Sequence, residues 1–241
     1  KIIFLDFDGV LNGEELYSRD YFGIENLLKF KRDLRSQGLS RDEIITRTCE
    51  VTGKEDYSSI STFISEPAIE RLAYICEQTG ATVVLNGSQS ANLRDKIPEV
   101  EKNYMLNDKK TTLLEILKQY DIPIEEDIAY DINLVPGRTS YRKKDAIYEY
   151  LVAHPDIEHF IVIEDGPILS NGSSFSKTQY QLFDESLTCS KYQVNTAGTG
   201  LGDEQRNQAI EMLNQVPELD LKTLIQDVKQ EIEQKSISIG D

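Results

Sequence analysis

With 241 residues, the chain is long enough for one core of about 150 to 200 residues plus an insertion or an extension. Its 42 Asp and Glu against 26 Lys and Arg leave a formal net charge of −16, a field that repels polyanions and argues against nonspecific nucleic-acid binding. Cys49, Cys76 and Cys189 form no Cys-x-x-Cys pair, which argues for a reducing compartment such as the cytoplasm and against a zinc site; no apolar stretch approaches the roughly 20 residues that cross a membrane.

Lys1 to Leu5 is an apolar run that reads as a strand covered on both faces of a parallel sheet. It empties into Asp6-Phe-Asp8-Gly-Val-Leu-Asn12, two carboxylates one residue apart beside a glycine that can turn the chain. Open α/β sheets bind ligands at the carboxyl ends of their strands, and oxygen donors at such a tip suit a hard cation and a phosphoryl group. Residues 13 to 62 are charged and helix-prone. Ile24, Leu27, Leu28 and Leu34 recur at helical spacing up to Gly38, and Ser40-x-x-Glu43 is a capping box that opens a second helix through Ile44 and Ile45. Strand-to-helix loops usually run about 2 to 6 residues, so this stretch is an inserted unit.

Ser65-Glu-Pro-Ala opens a helix with an N-cap and a proline in its first turn; Ile69, Leu72, Ala73, Ile75 and Cys76 form the buried stripe and Gly80 ends it. Ala81 to Leu85 is the next buried strand, with Asn86-Gly87-Ser88-Gln-Ser90 at its exit. Asn107 to Lys110 is a polar link; Leu113, Leu114, Ile116, Leu117 and Tyr120 mark a helix closed by Pro123; Ile128 to Leu134 reads as a third strand. A helix from near Arg142 turns Ala146, Ile147, Tyr150 and Leu151 inward and stops at His154-Pro155. Its first turn carries Lys143 and Lys144, the unfavourable end of a helix for cations, which makes sense beside a bound anion.

Phe160 to Ile163 is a fourth strand, and Glu164-Asp165-Gly166 at its exit repeats the acidic tip of the first. Gly166 to Ser176 is a polar loop, a lid or a connection, and Gln179 to Leu187 is ambiguous. Lys191 to Asn195 reads as a fifth strand. The glycines of Thr196 to Gly202 fit neither dinucleotide nor nucleoside-triphosphate spacing, so a structural turn is expected there. Asp203 to Val216 is a helix with Ala209, Ile210 and Leu213 inward. After Pro217, Leu221, Leu224, Ile225, Val228 and Ile232 mark a helix packed on the domain or, alternatively, a face for a protein partner. Five strands alternating with helices predict a three-layer α/β fold around a parallel sheet.

The strings Phe-Leu-Asp6-Phe-Asp8-Gly-Val-Leu-Asn12, Lys143-Lys-Asp-Ala-Ile147 and Gly200-Leu201 resemble the haloacid dehalogenase (HAD) superfamily, most of whose members are Mg²⁺-dependent phosphohydrolases, and within it the HAD domains of Swiss army knife RNA-repair proteins. The resemblance implies a Rossmann-like core over residues 1–12 and 63–216 with a parallel five-stranded sheet, a small helical cap over 13–62 after the first strand, and a helical extension over 217–241. It implies Asp6 as nucleophile, Asp8 as general acid and base, and a lysine of the 143–147 string as the cation that offsets phosphoryl charge, Lys143 being favoured over Lys144 by its spacing to Asp-Ala-Ile; Lys144 and the backbone N–H of Gly87 are further candidates for substrate binding. Asn86 stands where family members carry a Ser or Thr that holds phosphoryl oxygens, and Ser88 is a substitute donor. Mg²⁺ would be held by Asp6, the Asp8 carbonyl and Asp165, with Glu164 as the alternative to Asp165. The activity implied is hydrolysis of a phosphomonoester of unspecified identity through an aspartyl-phosphate. The alternatives are a polynucleotide-end phosphatase and a catalytically weakened binding protein. The branch tends to carry Ser-Ser-Trp-Arg at its second motif, and this sequence lacks both the Trp and the Arg.

Overall fold

The computed structural model describes residues 1–12, 27–52, 64–87, 104–106, 109–125, 143–169 and 180–238. Strand β1 (Ile2–Leu5) lies in the middle of a parallel sheet with β2 (Thr82–Leu85) on one side and β5 (Phe160–Glu164) on the other; β6 (Gln193–Asn195) continues beyond β5, giving the order β2-β1-β5-β6. Leu5 is level with Leu85 and with Ile163, and Val162 with Gln193, so all four strands end at one edge of the sheet.

Alternation along β1 divides the core into two faces, as the period of two in a strand requires. Ile3 and Leu5 pack with α3 (Glu66–Thr79), α4 (Leu113–Gln119) and α8 (Asp203–Asn214). Ile2 and Phe4 pack with α5 (Lys143–Ala153), α6 (Gln181–Ser186) and α9 (Leu221–Ser238). The result is the expected three-layer α/β sandwich. Leu221, Leu224, Ile225 and Val228 of α9 are buried on the second face, so the stripe offered as a partner surface is covered by the chain's own core.

Several local expectations hold for visible reasons. Ser40 and Glu43 exchange capping hydrogen bonds at the start of α2 (Arg41–Thr52), after Gly38 has ended α1 (Leu27–Ser36) with φ of 81°. Gly80 closes α3 in the left-handed region, whereas Ser65, although at the N-cap, makes no side-chain cap bond.

Other expectations need correction. The main sheet has four strands among the described residues, not five. The proposed third strand at 128–134 lies outside them; among the described residues the outer edge of β2 is met by one parallel bridge, between Val83 and Ile124. Lys191 and Tyr192 belong to a short helix, α7 (Cys189–Tyr192), because both of their amides donate to Thr188, and the strand begins only at Gln193. Lys109 and Lys110, expected in a polar link over 107–110, instead belong to β4 (Lys109–Thr111), which pairs antiparallel with β3 (Tyr104–Leu106).

Candidate active site

Parallel register places Asp6 beyond the end of β1, directly beside the end of β5: the Asp6 amide donates to the Ile163 carbonyl at 3.0 Å, and the Asn86 amide to the Leu5 carbonyl at 2.8 Å. Residues more than 150 apart in sequence thereby share one sheet edge. Ligand oxygens of Asp6, Glu164 and Asp165 all lie within 4.8 Å of one another. Asp6 and Glu164 are buried and Asp165 is exposed, so the cluster faces outward through Asp165.

Among the described residues, one cation is set against this group. Lys143 Nζ lies 2.8 Å from Asp6 Oδ1, and 2.9 and 3.1 Å from the two oxygens of Glu164. Burial alone would lower the lysine's pKa, but the charges and hydrogen bonds of Asp6 and Glu164 outweigh it and raise it. Burial, followed by the negative Asp6, pushes the Glu164 carboxyl well above the usual carboxylate range against the opposing pull of Lys143. Carboxylates crowded at one point are costly unless further positive charge arrives.

Lys144, expected beside Lys143 as a substrate-binding group, is elsewhere. Consecutive helical residues point about 100° apart, and Lys144 is buried with its Nζ 2.6 Å from Asp184 Oδ1, to which the Tyr148 hydroxyl also donates at 3.1 Å. Ser88 lies outside the described residues.

The loop after β1 is tightly drawn. Gly9 has φ of 75°, and a Cβ there would meet the Asp165 Cβ at 2.6 Å, so glycine serves both the turn and the close approach of the two acidic tips. A Cβ on Gly87 would fall 2.5 Å from Asp6 Oδ1, so that backbone passes directly over the carboxylate. Asn86 is wholly buried, and both atoms of its amide lack a hydrogen-bond partner among the described residues.

Three polar residues that the sequence reading passed over hold this machinery. Asn12 Oδ1 accepts from the Gly9 amide and Asn12 Nδ2 donates to Asp8 Oδ1, each at 2.8 Å. Thr196 Oγ1 donates to the Gly9 carbonyl at 2.8 Å, and the Leu201 amide donates to the Val10 carbonyl, so the glycine-rich 196–202 turn braces the loop after β1. Buried Gln193 accepts from the amides of Ile168 and Leu169 and donates to the Gly166 carbonyl, fixing the segment that follows Asp165. The Asn three residues beyond Gly9 was a readable signal, since Asn side chains commonly bond to nearby backbone. Gln193 carries none, because nothing local distinguishes it from an exposed strand residue.

A parallel α/β sheet with acidic residues at the tips of β1 and β5 and a helix-borne lysine between them is compatible with a HAD-type hydrolase. The family model for the HAD domain in Swiss Army Knife RNA repair proteins matches residues 2–205, and the chain belongs to that family. No curated protein and no solved structure gives a match.

Proposed function

We propose that the chain is a magnesium-dependent phosphomonoester phosphatase that works through a phosphorylated Asp6. The observation that carries this reading is the single cluster of Asp6, Lys143, Glu164 and Asp165, with Lys143 Nζ 2.8 Å from Asp6 Oδ1. Hard oxygen donors within 4.8 Å of one another fit Mg²⁺, an ion normally bound by few carboxylates together with water and phosphate. Asp6 and Asp165 would hold it with the Asp8 carbonyl, and Glu164, engaged through both oxygens with Lys143, holds the lysine. Bound there, Mg²⁺ would supply positive charge to the phosphoryl oxygens and relieve the crowded carboxylates.

In the reaction, an Asp6 oxygen attacks phosphorus opposite the ester oxygen, and the P–O bond to the leaving group breaks as Asp8 gives that oxygen a proton. Water, deprotonated by Asp8, then attacks the phosphoryl group of phospho-Asp6, releasing inorganic phosphate and restoring the carboxylate. Lys143 offsets charge on the transferring group, and the Gly87 backbone allows phosphate to approach Asp6 closely. The amide of Asn86, without a partner among the described residues, offers an N–H to a phosphoryl oxygen, the service a hydroxyl provides elsewhere in the superfamily. Asp6→Asn is expected to lower turnover of p-nitrophenyl phosphate by about a thousandfold or more, and EDTA to abolish wild-type turnover until Mg²⁺ is restored. A variant that kept about a tenth of the rate would remove Asp6 as nucleophile.

A second reading, removal of phosphate from a polynucleotide end, has the description of the family in its favour. The net charge of −16 weighs against it.

A further inference from the structure

The side chain of Asn12 is buried, and each end of its amide has a different customer. Its oxygen takes the N–H of Gly9, the peptide that turns the chain after Asp8; its nitrogen gives a hydrogen to Asp8 Oδ1. The orientation is forced, because a flipped amide would set NH₂ against N–H and C=O against a carboxylate. Among the standard side chains of this length, only a carboxamide can accept from a backbone amide and donate to a carboxylate at once: Asp would oppose Asp8 with a second acceptor, and Leu would make neither bond. The following peptide is held as well, by Thr196 on the Gly9 carbonyl, so Gly9 is fixed at both its amide and its carbonyl when Asn12 grips Asp8.

A carboxylate on a loop has two side-chain torsions to settle before it can pass a proton along a line set by the nucleophile, and proton transfer needs it within hydrogen-bond reach of the leaving oxygen. We infer that Asn12 is a positioning residue for Asp8: it locks the acid and base in the rotamer from which it serves the leaving group, without itself touching the substrate. The inference rests on the phosphatase reading for its kinetic consequence, while its structural content is independent of it.

That consequence is selective. An ester of p-nitrophenol, whose anion leaves readily, needs little protonation, whereas the alkoxide of an alkyl phosphate leaves only with a proton. Asn12→Ala, and the volume-matched Asn12→Leu should the first variant unfold, are compared with wild type on p-nitrophenyl phosphate and on glycerol 2-phosphate. The expected result is a fall in kcat/KM, which reports transfer to Asp6 and not the hydrolysis of phospho-Asp6 that both esters share, of about 100-fold on glycerol 2-phosphate and of about threefold on p-nitrophenyl phosphate. Equal losses on the two esters would mean that Asn12 merely supports the loop, and would overturn the inference. Crystal structures of the variants decide the same point without turnover: Asp8 should leave its wild-type rotamer, and an Asp8 that keeps it in both variants refutes the assignment. Wild-type protein inert toward both esters would reject the phosphatase reading, leaving the rotamer of Asp8 to judge Asn12.

Discussion

At the scale of single residues, the site depends on atoms that are missing as much as on those present. Gly87 is the clearest case, since its φ imposes nothing and only the absence of a Cβ matters: the added carbon would lie 2.5 Å from Asp6 Oδ1. Gly87→Ala should therefore displace the nucleophile while sparing the fold. We expect a loss of about 10- to 100-fold in kcat/KM, the scale on which a misplacement of about 1 Å is felt, with an unchanged Tm; activity within about twofold of wild type would show that the Asp6 carboxylate tolerates the crowding. Gly9 is more constrained, combining a left-handed backbone with contact to Asp165, and any side chain there strains the turn and separates the acidic tips together.

At the scale of elements, α5 is the part whose placement decides the chemistry, because it presents Lys143 to Asp6 on one side and Lys144 to Asp184 on the other. The second pair is an anchor. Lys144 has 5% of its side chain exposed, Asp184 has 28%, and the Tyr148 phenol, its pKa raised by burial and then by Asp184, stays protonated and donates to the same oxygen. Asp184→Asn alone removes the carboxylate 2.6 Å from a buried ammonium, and should cost about 3 kcal/mol of unfolding free energy in urea titrations. The double variant Lys144→Met with Asp184→Asn should regain much of that loss, since both charges of the pair are then gone from the buried site; strictly additive losses would show that the pair is not coupled.

Both lysines could be read as functional from their position in the first turn of a helix, and nothing in their immediate sequence separates them beyond the family's spacing. What separates them is the 100° of rotation between neighbours together with what each side of α5 meets, which is settled by packing on the sheet. The same limit hid Gln193 and Thr196. Their value comes from backbone groups contributed by the distant Gly166 and Gly9.

At the scale of the whole molecule, charge is the property that bears on substrate choice. A chain with net charge −16 should bind phosphorylated single-stranded oligonucleotides no more tightly than about 10⁻⁴ M at physiological salt. It should also release phosphate from their 3′ or 5′ ends more slowly than from small phosphomonoesters. Faster release from the oligonucleotides would move the reading to polynucleotide ends. Among the described residues no helix is long and apolar enough to cross a membrane.

The local order of the chain was set by the sequence alone: apolar runs that must be buried strands, the stripes of α3, α8 and α9, the capping box before α2, and carboxylates at the exits of two strands. Each follows from the period of a strand or helix, or from a side chain reaching its own backbone. Tertiary structure decided which of these features meet. Parallel register brought Asp6 level with Glu164 and Asp165, packing turned Lys143 rather than Lys144 toward them, and the turn at 196–202 closed on Gly9. Such contacts join positions far apart in the chain, and their energies depend on what both partners bury, which no local pattern of residues records.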